Sequence, residues 1–160
     1  GRGFRRVVPS PRPVRVIQRN MVSEAAEAGH IVIAGGGGGI PVVHGPGGDY
    51  VGVEAVIDKD LTSSVLASDV GADLLIVLTA VDQVFVNFGQ PDQQALGAVT
   101  LADAKRLIAE GHFAAGSMGP KVSAIVEFLL RGGKRGLITS PECLHRALDG
   151  DGGTHFVGRI

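Results

Sequence analysis

Lys59 stands between two aspartates in Ile57-Asp58-Lys59-Asp60-Leu61, and Lys121 closes the run Gly116-Ser117-Met118-Gly119-Pro120-Lys121. Each lysine falls where an apolar, helix-periodic segment begins, so each is expected in the first turn of a helix. A helix start favours anions, because its unpaired N–H groups and the helix dipole create positive potential there. A lysine on the same spot adds a full charge. One aspartate suffices as a cap, so Asp58 and Asp60 together leave a carboxylate to hold an ammonium group or help to seat Mg²⁺. Two such lysines form a clamp for a transferring phosphoryl group, a reaction that needs positioning and charge neutralisation more than covalent chemistry.

A third segment with chemical potential is Gly35, Gly36, Gly37, Gly38 and Gly39, directly after the apolar run Ile31-Val32-Ile33-Ala34. Consecutive glycines let the backbone approach an anion closely and turn several N–H groups toward phosphate or carboxylate oxygens. No Lys-Ser or Lys-Thr follows, as a P-loop requires, and no helix opens directly behind, as a dinucleotide site requires. Taken alone the run is equally compatible with a flexible tight turn.

The elements that must position these residues follow from periodicity and punctuation. Val7 and Val8 read as a short strand among Arg2, Arg5, Arg6 and Arg12, and Ile17, Met21, Ala25 and Ala28 give a helix over 14–28 that Gly29 stops. Residues 31–34 read as a strand buried on both faces. An excursion over 41–53 holds two β-prone pieces around a turn-rich centre. A helix starts near Asp58 or Asp60 and runs to about Val70, followed by strands over 74–79 and 84–86 and a polar loop over 87–97. Thr100, with Asp103 three residues on, caps a helix ended by Gly111. Pro120 suits the first turn of the next helix, whose stripe is Val122, Ile125, Val126 and Leu129. A strand over 136–139, a helix capped by Ser140-Pro141, and a terminal edge strand over 154–157 complete the pattern. Strands alternating with helices predict an α/β fold of three αβα layers around a mostly parallel sheet. In such sheets ligands bind beyond the carboxyl ends of the strands.

Composition bounds the rest. A chain of 160 residues with 44% apolar content suits one domain, or one half of a larger one. Its 15 basic and 16 acidic residues nearly cancel, without the basic stripe that nucleic acid needs. No apolar stretch of ~18 residues and no signal-peptide pattern occur, so the expectation is a soluble protein with no membrane partner. Cys143, the single cysteine, fits a reducing compartment. His30, His44, His112, His145 and His155 show no metal-ligand spacing, and no protein-held metal site or histidine chemistry is assigned. The chain opens on Gly1 instead of methionine, which implies lost sequence upstream.

Five ordered blocks resemble carbamate kinase, a member of the amino-acid kinase fold. They are Gly1-Arg2-Gly3-Phe4-Arg5-Arg6-Val7-Val8-Pro9-Ser10-Pro11, Ile33-Ala34-Gly35-Gly36-Gly37-Gly38-Gly39-Ile40-Pro41-Val42, Val53-Glu54-Ala55-Val56-Ile57-Asp58-Lys59-Asp60-Leu61, Asn87-Phe88-Gly89 with Pro91-Asp92-Gln93, and Glu110-Gly111-His112-Phe113 through Lys121. The resemblance implies reversible phosphoryl transfer between ATP and carbamate, giving ADP and carbamoyl phosphate, by a Mg²⁺-using cytoplasmic homodimer of arginine metabolism. It implies that this chain is the C-terminal, nucleotide-binding half and that the N-terminal half, with most of the acceptor site, is absent. Lys59 and Lys121 would contact the phosphates, with Asp60 orienting them and Asp58 beside the nucleotide. Thr79, Asp82, Phe85, Met118 and Gly119 would line the adenosine, and Gly36, Gly37, Gly38 and Gly39 would face the reacting groups. The chain departs from the family where Thr79-Ala80-Val81-Asp82-Gln83 replaces a frequent Thr-Asp-x-Asp-Gly. A kinase for another small acid such as acetylglutamate, and a non-catalytic nucleotide-binding module, are the alternatives.

Overall fold

The computed structural model describes residues 3–4 and 6–158; Gly1, Arg2 and Arg5 of the first block lie outside them. In chain order the elements are α1 (Arg19–Glu27), β1 (Val42–His44), β2 (Tyr50–Gly52), α2 (Lys59–Asp69), β3 (Leu74–Leu78), β4 (Val84–Val86) and β5 (Gln94–Leu96). They continue with β6 (Ala98–Thr100), α3 (Leu101–Ala109), α4 (Met118–Leu130), β7 (Arg135–Thr139), α5 (Leu144–Leu148) and β8 (Thr154–Val157).

The central sheet has the order β3-β7-β8-β6, with β3–β7 and β6–β8 parallel and β7–β8 antiparallel. Side chains alternate along β7, so Gly136 and Ile138 face one side and Leu137 and Thr139 the other. On the first side α4 buries Val122, Ile125, Val126, Phe128 and Leu129 against Ile138 and Phe156. α2 and α3 flank α4 there. On the other side Ala147 of α5 and Leu137 both close on Gly153. The expected three-layer α/β architecture with a mostly parallel sheet is what forms.

Caps and stops act where the sequence puts them. Thr100 accepts from the Asp103 amide at 3.1 Å and donates to the Asp103 carboxylate at 2.7 Å. Ser140 Oγ accepts from the Cys143 amide at 3.1 Å, but α5 begins only at Leu144.

Several strands differ from expectation. The last strand is interior, because β6 lies outside it. That neighbour and β5 sit within or beside the stretch read as a polar loop over 87–97. Three-residue strands leave too short a pattern to stand out from a loop. β4 leaves the main sheet and pairs antiparallel with β5, in the register Val84↔Leu96. Residues 7–8 and 31–34 form no strand, and α1 starts at Arg19 with no buried residue. Ile31 and Ile33 are 99% and 97% exposed. Their β-prone composition is real, but a strand exists only when a neighbour takes up its backbone groups and covers its side chains. No described strand lies alongside.

Two outcomes follow for stability. An alanine Cβ at Gly136 would stand 2.3 Å from Ile125 Cγ2 in the best-packed layer. Gly136→Ala should therefore cost about 1–3 kcal/mol in urea denaturation, and a loss near zero would contradict this packing. In contrast, Ile31→Ser with Ile33→Ser in the 160-residue chain should shift stability by no more than ~0.5 kcal/mol, as at other exposed positions.

Candidate functional site

The sheet order brings the two lysine-bearing helix starts together. α2 reaches β3 through residues 70–73, and α4 reaches β7 through residues 131–134. Such short connections turn each helix antiparallel to the strand that follows it. An 11-residue helix and a five-residue strand each span roughly 16 Å, so the start of α2 returns to the carboxyl end of β3. α4 does the same at β7. Because β3 and β7 are parallel neighbours, both helix N-termini and both strand ends share one edge of the sheet.

At that edge the two aspartates divide their labour. Asp58 is the cap of α2, its Oδ1 accepting from the amides of Asp60 at 2.8 Å and Leu61 at 3.1 Å. Asp60 is thereby left for the lysines. Lys121 Nζ donates to Asp60 Oδ2 at 3.0 Å, and Lys59 Nζ stands 3.9 Å from the same oxygen. Asp60 is only 7% exposed. The Lys121 side chain is nearly as enclosed, whereas that of Lys59 is 60% exposed. Lys121 is thus held in place, and Lys59 keeps an ammonium that can swing toward an anion.

The glycine run docks on the same helix start. Gly38 is buried with φ +133°, and any Cβ there would lie 2.0 Å from the Ile57 carbonyl oxygen. Only glycine permits that approach. Gly36, Gly37 and Gly39 are exposed, and a Cβ at any of them would meet open space. Of the four glycines singled out, Gly38 alone is packed against the lysine-bearing segment.

The residues expected around a nucleoside fall in the loop after β3, on β4 and at the start of α4. The Thr79 amide donates to the Thr139 carbonyl at 2.9 Å, prolonging the β3–β7 ladder by one step. Asp82 Oδ1 accepts from Ser140 Oγ at 2.6 Å, which ties the loop after β3 to the loop after β7. That hydroxyl first, and then the Cys143 side chain, hold the Asp82 carboxyl below its ordinary range. The Phe85 ring lies 6.0 Å from that of Phe88. Met118 is half-buried against the core, and the Gly119 amide donates to the Ala114 carbonyl at 3.0 Å. No hydrogen bond or ion pair joins Asp82 to the lysine pair among the described residues.

Sequence reasoning missed three partners. Ser140 reads locally as a cap, and nothing in its neighbourhood signals a bond to a residue 58 positions away. His112 received no role, yet its Nδ1 lies 3.1 Å from Asn87 Oδ1 and its Nε2 3.3 Å from Glu110 Oε2, joining two of the resemblance blocks. Thr62 donates to the Gly38 carbonyl at 2.8 Å. Its polarity on a buried helix face was the one available sign.

Known proteins resemble this chain along nearly its whole length. The model described as amino acid kinase family matches residues 2–140. The carbamate kinase-like protein YahI of Escherichia coli is 50% identical over 98% of the chain, and the carbamate kinase of Thermoplasma volcanium is 49% identical over 97%. The carbamate kinase of Giardia lamblia bound to AMP-PNP superposes on 99% of the chain with TM-score 0.94 and 42% identity. The chain spans about half the length of each of the three. No helix among the described residues is long and apolar enough to cross a membrane.

The Asp82–Ser140 bond makes stability depend on pH. A carboxyl with a lowered folded pKa contributes stability above the unfolded carboxylate range and loses it as pH falls through the folded value. Ser140→Ala should therefore cost more at neutral pH than in acid, where protonation of Asp82 weakens the bond and the cap on the Cys143 amide makes up more of the loss. Urea denaturation under the two conditions checks this, and equal costs would remove Asp82 from the account.

Proposed function

The chain belongs to the amino acid kinase family, and on that premise we propose that it supplies the nucleotide side of a carbamate kinase. The reaction is reversible transfer of the terminal phosphoryl group of ATP to carbamate, giving ADP and carbamoyl phosphate. One observation carries the reading: a nearly buried carboxylate, Asp60, sits between two lysines at adjoining helix N-termini. That arrangement, beyond the strand ends, suits a multiply charged anion. The resemblance to carbamate kinases near 50% identity supports the acceptor, and the AMP-PNP bound by the Giardia lamblia enzyme supports the nucleotide.

In this reading Lys121, fixed by Asp60, and Lys59, free to move, neutralise charge on the phosphates as it shifts from the transferred group to ADP. The helix dipoles of α2 and α4 act in the same direction. Gly36, Gly37, Gly38 and Gly39 present backbone amides to the phosphoryl group, while Thr79, Asp82, Phe85, Met118 and Gly119 line the adenosine. Mg²⁺, if brought with the nucleotide, would offset charge on the phosphates. Asp58 and Asp60 suit it as hard oxygen donors. Each keeps one carboxylate oxygen outside the hydrogen bonds among the described residues, and these two would hold the ion.

Most of the acceptor pocket would come from further chain of the kind that makes the relatives twice as long, and the bare apolar run at 31–34 is a surface that such chain would cover. Extended to the complete protein, the reading gives a cytoplasmic homodimer serving arginine metabolism.

Calorimetric titration of the 160-residue chain with Mg-ADP tests the nucleotide side. Saturable binding that weakens in Lys59→Ala is the expected result, and a folded chain that binds nothing would refute it. In the complete protein, Lys59→Ala and Lys121→Ala should each slow phosphoryl transfer by at least ~100-fold, the scale of losing one electrostatic stabiliser. Near-normal turnover in both would leave nucleotide binding without catalysis by this pair.

A further inference from the structure

Thr62 lies in the first turn of α2, is 6% exposed, and has one hydroxyl proton to donate. A helical threonine ordinarily bonds back to the carbonyl four residues earlier. Here that arm, to the Asp58 carbonyl, is the longer one at 3.2 Å. The shorter, at 2.8 Å, reaches the carbonyl of Gly38, 24 residues away in the chain. The turn it grips is closed on itself by a bond from the Gly38 amide to the Gly35 carbonyl at 2.9 Å. A Cβ at Gly35 would stand 3.6 Å from Thr62 Cγ2, so the same side chain also backs the other end of that turn. From the far side Gly38 rests on the Ile57 carbonyl.

We infer that Thr62 is a positioning residue that fixes the glycine run against the start of α2, so that its amides and the lysine pair address one phosphoryl group. The inference rests on the function proposed above. Four of the five glycines have positive φ, at +77°, +48°, +133° and +88° for Gly35, Gly36, Gly38 and Gly39. A run this permissive loses much conformational freedom when it is ordered. Its amides can stabilise charge only if something holds them ready. The lysines cannot do so, since Lys121 is committed to Asp60 and Lys59 points to solvent. Asp58 bonds the helix amides through Oδ1 and makes no hydrogen bond to the run among the described residues. Thr62 is the side chain that joins the run to the helix carrying the clamp.

The test measures hydrogen exchange of the Gly38 amide by NMR, with calorimetric titration of Mg-ATP and Mg-ADP, on the 160-residue chain carrying Thr62→Val or Thr62→Ser. Thr62→Val should speed Gly38 exchange roughly threefold to tenfold, the effect of losing one buried hydrogen bond, with the amides of α4 unaffected. Mg-ATP affinity should fall by a similar factor while Mg-ADP, which lacks the transferred group, stays within about twofold. Thr62→Ser, which restores the hydroxyl, should match the parent in all three readouts. Unchanged Gly38 exchange in Thr62→Val would overturn the tether, as would a Thr62→Ser chain that behaves like Thr62→Val. Faster exchange with equal losses for both nucleotides would overturn the link to the transferred phosphoryl group. If the parent chain binds neither nucleotide, the proposed function fails, and the exchange data still decide whether Thr62 holds the run.

Discussion

The Asp60 carboxylate is the constraint around which the edge of the sheet is arranged. At 7% exposure it has given up most of its hydration, a cost repaid only by a well-placed cation. Lys121 meets that need at 3.0 Å, and it reaches Asp60 only because α2 and α4 run side by side from adjoining strands. Two parallel helices bring two positive ends together, an arrangement that repels itself unless anions are close. Asp58 and Asp60 serve as those anions in the chain itself. A phosphate brought by a ligand would complete what they begin.

The division between the aspartates explains why both are needed. Asp58 spends its Oδ1 on the amides that open α2, and so leaves Asp60 for the lysines. A single carboxylate would have to choose between capping the helix and aiming an ammonium. The same helix start receives the glycine run, through a contact that a side chain on Gly38 would block. Backbone and side-chain positive groups thus converge on one place, from segments about 20 and 60 residues away in sequence.

The carboxyl-terminal two thirds of the chain have a closed core, while the amino-terminal third does not. Phe128, Ile125, Ile138 and Phe156 are fully enclosed. Phe4, Val7, Val14, Ile31 and Ile33 face solvent. Exposed apolar residues this numerous over a short segment mark a surface that normally lies against something else. The matching of this chain to about half the length of its relatives is consistent with that reading.

What the sequence determined by itself was whatever depends on nearby residues. Periodicity and caps placed α2, α3 and α4 closely, and with them Lys59, Asp60 and Lys121, because a helix makes its hydrogen bonds within a few residues. The parallel class of the sheet was legible from the alternation of elements. Tertiary structure decided everything that needs a distant partner. Residues 31–34 have the composition of a strand and no strand to pair with. β8 became interior because β6, too short to show a pattern, lies beyond it. Asp82 found Ser140, His112 found Asn87, and Thr62 found Gly38 across separations of 24 to 58 residues. Side-chain bonds of that kind leave no periodic trace, since their geometry is set by how the layers stack and not by the order of the residues that make them.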